Sequence, residues 1–270
     1  IKDITLIPGA GEYVYDTVIQ EKATGEYTLH GHFLQGGSTK RINHHNAQTR
    51  ANVMLALDDL KATLPKVEWV SVVINWFADT VDMGRALIQP AVEYGDKVEI
   101  RPSNWRVSRW TRDNAYKLKR FADESITYGG TPTDLSILRL CQELKKRGYK
   151  VMLYPMLQVD VIKPEPKPWR GRLRPHSSND INHFFNSSEG YNNFILHYTN
   201  LRSGNDDIRN YIDAFTIGSE MVGITQYTNS KGIYLAVTEF QNLAAKVKKN
   251  LGNNIKVIYC GDWAEYHSVN

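Results

Sequence analysis

The chain has 270 residues, 41% of them hydrophobic and 23% charged, the balance of a folded domain rather than of a disordered or collagen-like chain. Its net charge of +4 is too small to argue for nucleic acid without a localised patch, and it holds no apolar run of about 18 residues that could span a membrane. Its two cysteines, Cys141 and Cys260, exclude a disulfide scaffold and read as buried thiols.

The opening IKDITLIPGAGEY lacks the basic and apolar regions of a signal peptide, which implies cytoplasmic synthesis. The missing initiator Met suggests a fragment or a processed chain. Residues 1–45 read as an N-terminal extension with β strands, Pro8-Gly9-Ala10-Gly11 being a turn, and residues 46–270 as the main domain. Within 49–64, Val53, Leu57, Leu60 and Leu64 form a helical stripe, followed by the buried-strand pattern WVSVVINWF at 69–77. Residues 79–130 lose this rhythm, and KVEIRPSNWRV (97–107) alternates like a hairpin inserted after that strand.

The next unit opens on Thr131-Pro132-Thr133-Asp134, read as N-cap, Pro at N1 and an acid at N3. Leu135, Leu138, Cys141 and Leu144 make one helix face, Gly148 suits the position after the C-cap, and the strand KVMLYPML (150–157) follows. Pro164, Pro166 and Pro168 keep 161–185 irregular. A third unit has Tyr191, Phe194, Tyr198 and Leu201, then a strand at 212–217. A fourth has Val237, Phe240, Ala244, Val247 and Leu251, a stop at Gly252, then a strand at 255–260. Helix–strand units in succession imply a parallel sheet, closed as a barrel or doubly wound. No GxGxxG follows a strand, and the long loops follow strands rather than helices, which favours a barrel with a functional mouth.

In such a barrel, a residue just past a strand's C-terminal end faces the catalytic mouth. IDAFTIGSE (212–220) puts Glu220 there, as a catalytic acid or, equally, as a helix cap or surface ion pair. Asp262, in GDWAEY, is either a substrate acceptor or a helix cap, and Glu265 reads as a surface charge. Trp76, Trp169 and Trp263 are candidate platforms for the apolar faces of sugars, with loop packing as the alternative. Arg170, in the basic run WRGRLR (169–174), could grip a ligand or be solvated, and Asp160 follows a strand and reaches the mouth. The pairs His30/His32 and His44/His45 have no carboxylate or Cys ligand at metal-site spacing, so no metal or other cofactor is expected. No G-x-S-x-G elbow is present.

Five motifs, YGGTPTD (128–134), KVMLYPMLQVD (150–160), PWRGRL (168–173), IDAFTIGSEMVGIT (212–225) and IKVIYCGDWAEY (255–266), stand in an order that resembles the TIM-barrel-like domain of gene transfer agent and phage tail hub proteins. That domain is in turn similar to glycoside hydrolases of the large retaining barrel clan, β-mannanase-like enzymes among them. The resemblance implies a TIM (β/α)8-type barrel with about five of its eight strands in this chain, a β-rich N-terminal segment and a β insertion. It makes Glu220 the general acid/base. It also puts Ser219 where the enzymes usually carry an Asn that holds the sugar 2-hydroxyl. The TEIG-like segment that carries their nucleophile has no counterpart here.

The resulting expectation is a glycoside hydrolase domain of a tail-like particle, acting on cell-envelope or surface glycans. It would be of retaining type if the full barrel carries a second Glu. The alternative is a structural or carbohydrate-binding module of the tail hub without catalysis. The expected partners are a glycan and other tail-particle proteins, with no nucleic acid and no membrane span. A partial barrel would expose two sheet edges, giving poor solubility, pairing with a partner, or disorder.

Overall fold

A computed structural model of the chain describes residues 1–8, 11–30, 32–93, 95, 98–162 and 169–267. The expected turn at 8–11 therefore lies partly outside the described residues, and the expected irregularity at Pro164, Pro166 and Pro168 wholly so. In chain order the main elements begin with β1 (Asp3–Leu6), β2 (Glu21–Tyr27), β3 (Phe33–Arg41), α1 (Asn52–Thr63) and β4 (Trp69–Ala78). There follow β5 (Val98–Arg101), α2 (Asp134–Lys146), β6 (Lys150–Val159), α3 (Ser178–Asn186) and α4 (Tyr191–Thr199). The last group is β7 (Ala214–Ser219), α5 (Val222–Thr225), α6 (Leu235–Leu251), β8 (Lys256–Cys260) and α7 (Trp263–His267).

β1, β4, β6, β7 and β8 lie side by side in that order, and every pairing between them is parallel. This is the α/β, TIM-barrel-like succession, with a helix leading into each of β4, β6, β7 and β8. The ladder is longest at its centre, where β4 and β6 stay in register from Trp69↔Lys150 to Ala78↔Val159. Along β6, Val151, Leu153, Leu157 and Val159 are buried, whereas Met152, Tyr154, Met156 and Gln158 on the other face are half-buried. That second face, which includes Val73 and Asn75 of β4 by register, is the concave side.

The helices hold to the first face by their apolar stripes. Ile137, Leu138, Leu140 and Leu144 of α2 are at most 2% exposed. At roughly 2 kcal/mol for each buried aliphatic side chain, they contribute about 8 kcal/mol relative to exposure. Gly252 at φ +84° ends α6 and Gly148 at φ +86° follows α2, both in the left-handed region that glycine enters without penalty.

Three expectations change. The cap of α2 is Thr133, whose side chain accepts from Ser136 N. Thr131 instead clamps two strands, accepting from Ala91 N (3.0 Å) and donating to Asn75 O (2.8 Å). The segment 97–107 is not a self-contained hairpin. Its first strand, β5, pairs antiparallel with β2, which also pairs with β3, and Arg106–Val107 turns back on Trp110–Thr111. Pro102 has no N–H to continue the ladder, so the chain turns there and each half finds another partner. The third change is at Cys260: Cys141 is buried, but Cys260 is only half-buried.

Asp160 anchors the insertion from beneath. Its carboxylate accepts from Tyr116 OH (3.0 Å), Lys119 N (2.9 Å) and Thr127 Oγ1 (2.6 Å). A buried ion pair, Arg112 Nη2 to Glu12 Oε2 at 2.5 Å, ties the insertion to the N-terminal segment.

Candidate active site

The chain reaches its carboxylate through an irregular strand. β7 pairs regularly with β8 up to Thr216↔Ile258, then slips so that Gly218 faces Tyr259 and Ser219 faces Cys260. One extra residue in a strand reverses which face the following side chains occupy. Ser219 is thereby placed on the concave face, its Oγ 2.6 Å from the Tyr154 hydroxyl. The slip needs a glycine at 218: a Cβ there would lie 2.8 Å from both Phe240 and Tyr259.

Glu220 follows in the left-handed region, φ +51°. For a residue with a side chain that conformation costs on the order of 1 kcal/mol, and such strain is commonly kept where a side chain must be aimed. The backbone is held by Glu220 N–H donating to Cys260 O at 2.9 Å. The side chain is held by two donors on one oxygen, Arg170 Nη2 at 2.5 Å and Trp169 Nε1 at 3.3 Å, both to Oε2. Among the described residues Oε1 receives no hydrogen bond.

Arg170 does more than pair with the acid. Its Nε donates to the Ser219 carbonyl at 2.9 Å, and Nη2 also approaches Ser219 Oγ at 3.4 Å. The Arg170 side chain is 10% exposed and that of Glu220 is 39% exposed, so an inner cation positions an outer carboxylate. Two glycines let the arginine loop sit this close. A Cβ on Gly171 would lie 2.5 Å from the Trp169 ring, and one on Gly223 would lie 2.3 Å from the Leu173 carbonyl oxygen. Burial raises the Tyr154 phenol above its usual range, with the Ser219 hydrogen bond acting in the opposite direction.

Glu220, Ser219, Trp169 and Arg170 thus come together at the carboxyl ends of β6 and β7, and the structure adds Tyr154. Ser219 is buried, and its hydroxyl is occupied by Tyr154 and Arg170. Trp76 lies elsewhere. It is on the helix-facing side of β4, stacked on Phe194 at 5.0 Å and donating through Nε1 to Tyr198 OH at 2.8 Å. Asp160 is fully buried in the insertion's hydrogen bonds. Asp262 caps α7, accepting from Ala264 N at 2.8 Å. Glu265 is no free surface charge: it accepts from Asp262 N (2.6 Å), Thr225 Oγ1 (2.7 Å) and Tyr259 OH (2.7 Å). Trp263 opens α7 with 74% of its surface exposed. His44 and His45 bond within their own segment, to Gln48 O and Asn52 Nδ2.

Residues 189–270 match the GTA TIM-barrel-like domain. The matched stretch holds α4, β7, Glu220, α6 and β8. Among solved structures the chain is similar to a GH113 β-1,4-mannanase, with 15% identity and a TM-score of 0.45, covering 79% of this chain and 51% of that one. It is also similar to the GH113 β-mannanase AaManA from Alicyclobacillus acidocaldarius in complex with ManMIm, with 16% identity and a TM-score of 0.46, covering 80% and 51%. The chain spans about half the length of these solved structures. No curated protein matches it. No helix among the described residues is long and apolar enough to cross a membrane.

Chemically, the rim offers one carboxylate oxygen fixed by two donors, a second oxygen open to a ligand, and an indole 37% exposed beside it. A fixed acid next to a flat apolar surface suits a ligand with both C–H faces and ether or hydroxyl oxygens.

Proposed function

We propose that the rim around Glu220 binds a glycan and that Glu220 protonates the glycosidic oxygen during cleavage, within a tail-like or gene transfer agent particle acting on cell-envelope or surface glycans. The observation that carries this reading is the asymmetry of the carboxylate. Arg170 and Trp169 both occupy Oε2, which leaves Oε1 as the atom that can carry a proton to a leaving oxygen. Transfer of that proton as the C–O bond breaks is general acid catalysis, which contributes about 10²–10⁴-fold. The residual 39% exposure of Glu220 gives the substrate access.

Retaining cleavage also needs a second carboxylate about 5–5.5 Å away as nucleophile. Asp262 and Glu265 are committed to α7 and its contacts, so the proposal places that group outside the described residues. A second reading, binding without turnover, is favoured by the Arg170–Glu220 ion pair itself, which ties up one oxygen of the acid. The two separate in one experiment: product release from cell-envelope glycans by the complete protein and by its Glu220→Gln variant. Release by the parent and loss of about 10²-fold or more in the variant supports cleavage. Binding without release supports the second reading, and release unchanged by Glu220→Gln removes Glu220 from the chemistry.

A further inference from the structure

The loop that clamps Glu220 carries three arginines, and the structure uses only one of them. Arg170 is turned inward, as described above. Leu173 is fully buried and pins the loop, its carbonyl pressed against Gly223 of α5. Arg172 and Arg174, on either side of that anchor, are exposed. Neither guanidinium has an ion pair or hydrogen bond among the described residues. Two described acids beside this loop, Asp82 and Asp180, are already engaged. Asp82, whose backbone bridges Arg174, pairs through its side chain with Arg85 Nε at 3.0 Å and Gly84 N at 3.1 Å. Asp180 accepts from His176 N at 2.6 Å and from Ser177, capping α3. Trp169 stands at the start of the same loop, half-exposed and bonded to Glu220.

We infer that this rim selects an anionic glycan, with Arg172 and Arg174 as the specificity-determining residues that contact its carboxylate or phosphate groups while Trp169 holds a sugar face. This rests on the carbohydrate reading of the same rim. Solvated surface arginines are ordinary, but here two unpaired guanidiniums flank a buried leucine, within four residues of Arg170, which pairs with the proposed catalytic acid. Guanidinium is also the side chain best matched to planar, bidentate recognition of carboxylate and phosphate. The charge patch is local, on a chain whose net charge is only +4.

The test measures binding of the complete protein to a hexameric oligogalacturonate, to its methyl-esterified neutral counterpart and to a single-stranded oligonucleotide of similar charge. The parent and an Arg172→Gln/Arg174→Gln double variant are compared. At exposed sites two ion pairs should give about a five- to tenfold preference for the acidic sugar. That preference should disappear in the double variant, be weakened by salt, and leave affinity for the neutral sugar unchanged. Equal affinity for acidic and neutral sugars, indifferent to the double variant, overturns this inference while the carbohydrate reading stands. Binding of neither sugar overturns both. Binding of the oligonucleotide alone shows a polyanion patch rather than a glycan subsite and likewise overturns the inference.

Discussion

Replacing Arg170 with methionine keeps much of the side chain's volume but removes the guanidinium that organises the rim. Two of its bonds are of full strength, Nε to the Ser219 carbonyl at 2.9 Å and Nη2 to Glu220 Oε2 at 2.5 Å, while the approach to Ser219 Oγ at 3.4 Å is marginal. A hydrogen bond with a charged partner contributes about 1.5–3 kcal/mol. The Glu220 end must be discounted because that carboxylate is 39% exposed and its ion pair is partly screened. The expected loss for Arg170→Met is therefore about 2–3 kcal/mol, against about 1 kcal/mol for Glu220→Gln, which keeps an acceptor oxygen but loses the charge. Urea unfolding of both single variants and the double variant gives the coupling energy, expected near 1 kcal/mol and smaller in high salt. A coupling below about 0.3 kcal/mol, the level at which distant sites behave as additive, would show that the two side chains do not pair in solution.

Three further outcomes follow from the same geometry. Gly223→Ala puts a Cβ 2.3 Å from the Leu173 carbonyl oxygen, so it should cost about 1–3 kcal/mol and displace the arginine loop, seen as a lower Tm and faster proteolysis within 169–174. Cys260, half-buried on the concave face, should react with a thiol reagent in the native protein, whereas Cys141, buried and pushed up to about 12, should react only after unfolding; equal native rates would contradict this. Burial, and then the neighbouring Glu12 carboxylate, raise the Glu93 carboxyl above its usual range. A carboxyl raised in the folded state adds stability that is present below its unfolded value and lost as pH rises through the folded one. Glu93→Gln, which mimics the neutral form, should therefore raise the Tm at neutral pH, and the gain should vanish as pH falls below the ordinary glutamate range, about 4.

The helix–strand succession was legible because its signals are local. Apolar spacing and a run such as WVSVVINWF mark elements whose observed bounds, Trp69–Ala78 in this case, differ by a residue or so. Glu220 was legible for the same reason, as the residue just past a strand. What failed depends on partners far along the chain. Trp76 is the exception: in WVSVVINWF it shares its parity with Val70, Val72 and Ile74, while Ser71 and Asn75 mark the other face, a signal that its place near the strand's end outweighed. TPTD offers two threonines as caps, and the choice of Thr133 follows from the bonds of Thr131 to Asn75 and Ala91. The slip between Thr216 and Gly218 sets the glycine under Phe240 and Tyr259, contacts that no nine-residue window contains. Arg170 reads as a loop charge until the fold carries it across fifty residues of sequence to Glu220.

The most direct test of the account is a crystal structure of the Glu220→Gln variant soaked with an oligosaccharide that the parent cleaves or binds. The account predicts a sugar ring against Trp169 and a bridging oxygen within hydrogen-bond reach, about 2.6–3.2 Å, of the open end of the residue 220 side chain. A sugar seated instead in the insertion's cleft of about 370 Å³, beside Trp105, Arg106 and Arg112, with the rim at residue 220 empty, would contradict it.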